Sequence, residues 1–280
     1  MRTITTKASK EQYEPIHGMT ILNDELFVIN RKSSEIEVFH AEKLTFCGRW
    51  KMKHLSDPLD IAACNRKKRL YIMDYTGHNQ SKTIYVVSSN GKLVTNIRTG
   101  LDHGRLSVTD DSNVILTVFW TGKLNVYSAD GQFLSEIILS ADIVHPRHAI
   151  RLTNGDFVVS YGYFNKDVHA VCVVDINGEI TKSYGGKRGS AAGEMNIPNY
   201  LAIDKEGFIF VADRINNRVL LLSPELKFER EILPKSTYSL QNTPRVFLDE
   251  PSSRLMVVNS YFDSANTHCG DGHILIYNMK

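Results

Sequence analysis

The sequence predicts an all-β fold: a six-bladed β-propeller of four-stranded antiparallel blades, with residues 1–280 forming one domain. Three observations predict it. A β-branched and aromatic run, too short for a helix, returns at intervals of roughly 40 to 50 residues, the period range of propellers and solenoids. The copies share their punctuation, with a Pro or Gly ahead of the first run, a tight polar turn before the second and an Asn-Gly or Asp-Gly pair after the third. The last copy lacks a fourth run, and the first residues of the chain can supply it.

In chain order, Arg2–Thr6 (RTITT) reads as a strand that joins the last blade, which removes two sheet edges that would otherwise invite aggregation. The first copy opens at Gly18 and places its second strand at Leu26–Asn30. The second copy opens at Pro58, turns at Arg66–Arg69, and runs through Leu70–Asp74, Ile84–Val87 and Leu93–Ile97. The third opens at Gly104, turns at Asp110–Asn113, and continues through Val114–Phe119, Lys123–Tyr127 and Phe133–Leu139. The fourth opens at Pro146, with strands at Asp156–Tyr161 and Val171–Asp175. The fifth opens at Pro198, with strands at Phe208–Asp213, Arg218–Leu222 and Phe228–Leu233. The sixth opens at Pro244, with strands at Leu255–Ser260 and His273–Tyr277. The pairs Asn90-Gly91, Asp130-Gly131 and Asn177-Gly178 are hairpin signals, because type I′ turns need positive φ.

Composition narrows the function classes. At 42% hydrophobic residues and a net charge of +2, the chain is a globular protein and not a polycation, so any basic surface must be local. No stretch approaches the roughly 18 apolar residues of a membrane span, and MRTITTKASK lacks the apolar core of a signal peptide. Cys47, Cys64, Cys172 and Cys269 fall in four different blades with no CxxC pair, so free thiols and a cytoplasmic setting are expected.

Residues Gly193–Leu222 carry further signals. Pro198, the Asp204 and Gly207 turn, the Val211-Ala212-Asp213 ending and Asn217-Arg218-Val219 resemble an NHL repeat, and the preceding Gly193–Pro198 (GEMNIP) resembles its run-in. The other copies keep the apolar skeleton and lose most of the signature. The resemblance implies a six-bladed propeller that binds protein or RNA, as in the tripartite-motif NHL proteins. In such repeats Asp213, Asn217 and Arg218 are fold residues.

Function on a rigid scaffold usually lives in its loops. The loops after each second strand and those between blades share one face, around the channel mouth. Arg105 and Arg147 directly follow the residue that opens a first strand, and Arg245 follows Pro244, one residue out of register. His148 adjoins Arg147 and His17 lies near the same place in the first copy. Converging guanidinium groups suit a carboxylate or phosphate; alternatively each arginine pairs with a loop acid such as Asp102, Asp142 or Asp74. Tyr75, Trp120, Tyr163 and Tyr200 sit at or near the mouth, where exposed aromatics suit stacked bases or a peptide. The Arg66–Arg69 run lies on the opposite face.

The expected ligand-binding set is therefore Arg105, Arg147, Arg245, His148, Tyr75, Trp120, Tyr163 and Tyr200. The expected function is a non-catalytic module binding a protein or single-stranded RNA on the mouth loops. DNA, a membrane, a metal and a cofactor are not expected, and the propeller is expected to be monomeric. The alternative is a metal-dependent lyase or hydrolase with its site in the channel, resembling an amidating lyase or a lactonase. Ten histidines, among them His54, His78, His103, His145, His169, His268 and His273, form no matched trio for zinc. Asp60 is the one clear acid for a calcium site.

Overall fold

In the computed structural model of the chain, twenty-four strands form six sheets of four among the described residues, which are 2–6, 16–76, 81–100, 102, 104–233, 245–259 and 272–279. Blade 1 holds β2 (Ile16–Leu22), β3 (Glu25–Asn30), β4 (Glu35–His40) and β5 (Phe46–Lys51). Blade 2 holds β6 (Pro58–Cys64), β7 (Arg69–Thr76), β8 (Ser81–Ser88) and β9 (Leu93–Gly100). Blade 3 holds β10 (Gly104–Val108), β11 (Val114–Val118), β12 (Lys123–Tyr127) and β13 (Phe133–Ile138). Blade 4 holds β14 (Pro146–Arg151), β15 (Phe157–Tyr161), β16 (Ala170–Val174) and β17 (Ile180–Gly185). Blade 5 holds β18 (Pro198–Ile203), β19 (Ile209–Asp213), β20 (Arg218–Leu222) and β21 (Phe228–Leu233). Blade 6 holds β22 (Val246–Asp249), β23 (Arg254–Asn259) and β24 (His273–Asn278), and its outer strand is β1 (Arg2–Thr5) from the other end of the chain.

That closure follows the sequence reading. Arg2 faces Ile276 and Thr5 faces His273 in antiparallel register. Ile4, the one inward residue of β1, packs with Ile16, Met19 and Ile274, while the Thr6 amide and hydroxyl both donate to the Gly272 carbonyl, at 3.2 and 3.1 Å.

The first strands of consecutive blades touch all the way round, β22 returning to β2. Their twisted sheets leave six apolar cores, one between each pair of neighbours. Phe27, Ile36, Ile61 and Tyr85 join blades 1 and 2, and Val211, Leu220, Val158 and Val171 join blades 4 and 5. Each fully buried aliphatic side chain contributes roughly 1.5–3 kcal/mol relative to exposure, so a blade is held chiefly by its neighbours and the ring as a whole by its closure.

The hairpins fall where the sequence places them, but the turn type is corrected: only the glycines of Asn90-Gly91, Asp130-Gly131 and Asn177-Gly178 take positive φ, so these are three-residue loops closed by a glycine bulge and not type I′ turns. Gly178 of the Asn177-Gly178 pair has a φ of 86°, and a Cβ there would lie 1.9 Å from the Ile138 carbonyl oxygen. Blade 1 differs from the sequence reading: its first strand opens at Ile16, two residues before Gly18. Pro244, at the expected opening of blade 6, lies outside the described residues, as do Tyr261, Phe262, His78, His103, His268 and Cys269. Cys47 is exposed and Cys64 and Cys172 are buried, all as free thiols. Among the described residues no helix is long and apolar enough to cross a membrane.

The signature residues of blade 5 staple a loop. Asp213 accepts from the Asn196 amide (2.7 Å), the Asn216 side chain (2.7 Å) and Arg218 Nε (2.8 Å). Arg218 also donates to the carbonyls of Ser190 and Glu194, at 3.2 and 2.8 Å. Asn217 takes a left-handed φ of 55°, which asparagine tolerates well. All three act as fold residues. Asp74 repeats the device in blade 2, accepting from the amides of Ser56 (3.1 Å) and Asp57 (2.9 Å).

Candidate functional site

Register decides which side chains meet at the channel mouth. β-bulges interrupt the first strands of blades 1, 2, 4 and 5 between Ile16 and Gly18, Pro58 and Asp60, Pro146 and His148, and Pro198 and Tyr200. Blade 3 has none: Arg105 follows Gly104 in unbroken register opposite Thr117. In blade 6 Val246 faces Val257, and the Val258 amide donates to the Arg245 carbonyl at 3.0 Å. Gly18, Asp60, Arg105, His148, Tyr200 and Arg245 therefore share one level of the ring. The inserted residues His17, Leu59, Arg147 and Asn199 sit nearer the mouth. The sequence reading thus needs a correction: Arg105 and Arg245 are in register, and Arg147 is the displaced one. A bulge re-aims its extra side chain, and here it lifts Arg147 toward the opening.

The shared level forms a floor. Arg245 pairs with Asp60 across the axis, the two side chains 2% and 0% exposed. Asp60 Oδ1 also accepts from the Ile61 amide and Oδ2 from the Leu106 amide, both at 2.7 Å. The Arg245 guanidinium lies 4.1 Å from the centroid of the Tyr200 ring, and Tyr200 stacks on His148 at 3.7 Å and 15°. His148 Nδ1 accepts from the Leu201 amide (3.2 Å), so Nε2 carries the proton that it donates to the Leu106 carbonyl (3.3 Å). Burial, and then Arg245, hold the His148 imidazole well below its usual range. The network links blades 2 to 6.

Above this floor lies a pocket of about 230 Å³ lined by His17, Leu59, Gly104, Arg105, Phe119, Trp120, Arg147 and Tyr163. Gly104 is required there: a Cβ would fall 1.5 Å from the Thr117 carbonyl oxygen. Arg105 Nη1 donates to the Leu59 carbonyl at 2.7 Å, and Arg147 Nε to the Gly162 carbonyl at 2.9 Å. The Arg147 guanidinium lies 4.6 Å from the Phe119 centroid and 5.3 Å from that of Tyr163, and its Nη2 is buried without a hydrogen-bond partner. Trp120 stands at the rim, 57% exposed.

The pocket concentrates positive charge. Burial and then Arg245 push the Arg105 pKa down to about 10. Burial, then Arg105 and Arg214, push Arg147 down to about 9. His17 is held well below the usual imidazole value by burial and then by Arg105, Arg31, Arg245 and Arg214. An anion would offset the repulsion among these cations. Both arginines remain protonated at neutral pH.

The expected residues separate into three groups. Arg105, Arg147, Trp120 and Tyr163 line the pocket. Arg245, His148 and Tyr200 lie in the floor, the last two 2% and 8% exposed, so they support the pocket from below. Tyr75 is outside the lining and faces the Lys82 ammonium at 5.1 Å. The loop acids are engaged elsewhere: Asp102 with Lys123 (3.2 Å), and Asp74 with backbone amides, while Asp142 is exposed. Among the described residues no carboxylate pairs with Arg105 or Arg147. Asp60 is occupied by Arg245 and two amides, and no three of His, Cys, Asp and Glu among the described residues gather in metal-binding geometry. The sequence reading missed Arg214, whose signal is positional: it directly follows the last residue of a second strand, as Arg31 does, the register slot that Tyr75 fills within β7. Arg31 is tied to Asp57 at 3.1 Å.

No family model matches the chain, and no curated protein matches it. Among solved structures it is similar to a protein of unknown function from Bacteroides caccae, with 14% identity, 88% of this chain and 93% of that one covered, and a TM-score of 0.63. It is also similar to Kuenenia stuttgartiensis hydrazine synthase, at 12% identity, 98% of each chain covered and a TM-score of 0.65. A streptogramin B lyase structure aligns at 12% identity over 100% of this chain and 87% of that one, also with a TM-score of 0.65. Identities this low show the propeller fold alone.

Proposed function

We propose that the chain is a non-catalytic binding module of the NHL type, acting in the cytoplasm, that holds an anionic partner at the channel mouth. The observation that carries this reading is Arg147, wedged against Phe119 and Tyr163 beside Arg105, with no ion pair to either among the described residues; Asp60, which acts on Arg105 through space, is already paired with Arg245. Guanidinium donors beside an exposed indole suit single-stranded RNA, with phosphate on the arginines and a base stacked on Trp120. Stacking of this kind is worth roughly 1–3 kcal/mol per base. The NHL-like residues of blade 5 support the same class of partner.

A gel-shift titration with single-stranded RNA, run beside an acidic peptide of matched charge, tests it. Retention of the RNA, lost on Trp120→Ala, supports the reading. Retention of the peptide alone assigns the face to a protein partner. Retention of neither sinks it.

A further inference from the structure

We propose that the mouth pocket reads chain ends: it takes a terminal phosphate monoester carried by a nucleoside, in preference to an internal phosphodiester. The inference rests on the reading of the mouth as an anion site and names the group bound there.

The first reason is shape. The floor of Asp60, Leu106, His148, Tyr200 and Arg245 spans blades 2 to 6 one level below the mouth-side lining of the pocket. The pocket over it, of about 230 Å³, is lined on the mouth side by Trp120 and Tyr163. An internal phosphate has chain on both sides and would need two ways out. A terminal phosphate needs one, and leaves its nucleoside at the rim, where Trp120 offers a face.

The second reason is charge. Arg105 and Arg147 line the pocket with no acid paired to them among the described residues, and Arg214 adds its field to both. A phosphodiester carries one negative charge, whereas a monoester near neutral pH carries about −1.5 to −2. The monoester balances the two lining guanidinium groups.

The third reason is unmet hydrogen bonding. Arg147 Nη2 and His17 Nδ1 are buried polar atoms without a hydrogen-bond partner, and both residues line the pocket. A buried donor left unsatisfied costs about 1–3 kcal/mol. A monoester presents three terminal oxygens, enough to accept from Arg105, from Arg147 and from His17 in its Nδ1-protonated tautomer, whereas an internal linkage presents two.

The chemistry is shared by the phosphorylated end of an RNA strand and by a free mononucleotide, and binding anisotropy separates them. The probes are one short, internally labelled, single-stranded RNA with a 5′-phosphate, a 3′-phosphate or neither, competed by adenosine monophosphate, adenosine and inorganic phosphate. We expect at least one phosphorylated end to bind more than tenfold tighter than the unphosphorylated strand, and adenosine to compete far less than its monophosphate. If the free monophosphate matches the strand, the pocket is a mononucleotide site. Equal binding of all three strands overturns end reading; should Arg105→Ala/Arg147→Ala then weaken all three, the anion site itself still stands. The wild-type comparison does not depend on any variant folding. If Trp120→Ala and the arginine variant leave every probe unchanged, the mouth assignment fails with it.

Discussion

Arg245 of blade 6 and Asp60 of blade 2 meet across the propeller axis as an ion pair screened from solvent on all sides. Removing one partner strands the other. Asp60→Asn should destabilise the fold by about 3–5 kcal/mol in chemical denaturation. The paired replacement Asp60→Asn with Arg245→Met, which strands no charge and keeps an acceptor for a backbone amide, should recover part of that loss. If Asp60→Asn unfolds at the wild-type midpoint, the floor is not held by this pair.

β1 buries one side chain, Ile4, in the seam it closes. Ile4→Ala should cost about 2–5 kcal/mol, the usual range for a buried isoleucine. Deleting residues 1–8 should cost more, because the edge of β24 is then exposed as well. An unchanged melting curve for the deletion would contradict joining of the ends.

Blade 5 predicts a separation of stability from binding. Arg218→Ala removes a partner from buried Asp213 and frees the carbonyls of Ser190 and Glu194. We expect a loss of several kcal/mol with unchanged RNA affinity below the melting transition. Loss of affinity in a folded Arg218→Ala protein would make the signature arginine a ligand contact.

Acid should weaken the protein before its carboxylates titrate. His17, His148 and His169 are all held below the usual imidazole value, burial being the largest cause in each. Below the unfolded-state value of about 6.5, the unfolded chain binds protons that the folded chain refuses. This stability is complete above about pH 6.5 and falls with pH at up to about 1.4 kcal/mol per unit for each histidine. His148→Gln, which keeps one donor and one acceptor, should flatten the slope of stability between pH 6.5 and 5. A slope unchanged in that variant would show that His148 titrates normally.

The fold was legible because its signals are local and repeated. Asn-Gly turns, strand-length apolar runs and a spare strand at the N-terminus each follow from backbone sterics or from an unpaired edge. The site was half legible. Arg105 and Arg147 were found by their spacing from Gly104 and Pro146, but a bulge leaves no mark in a single sequence, so their different levels were hidden. The partner of Arg245 was hidden too, because Asp60 lies 185 residues away in sequence and meets it only across the closed ring. Arg214 is hard to single out because aromatics mark most second-strand ends, although guanidinium groups occupy the same slot in blades 1 and 5.

The salt dependence of RNA binding tests the functional face most directly. Affinity of wild type should fall as salt rises, each phosphate neutralised adding a slope of about −0.7 on logarithmic axes for single strands. In Arg105→Ala/Arg147→Ala we expect affinity at least tenfold weaker, about 1.4 kcal/mol, with a shallower slope. Alanines at Arg66, Lys67, Lys68 and Arg69, on the far face, should change neither. Normal binding by the mouth variant, with binding abolished by the Arg66–Arg69 variant, would contradict the assignment.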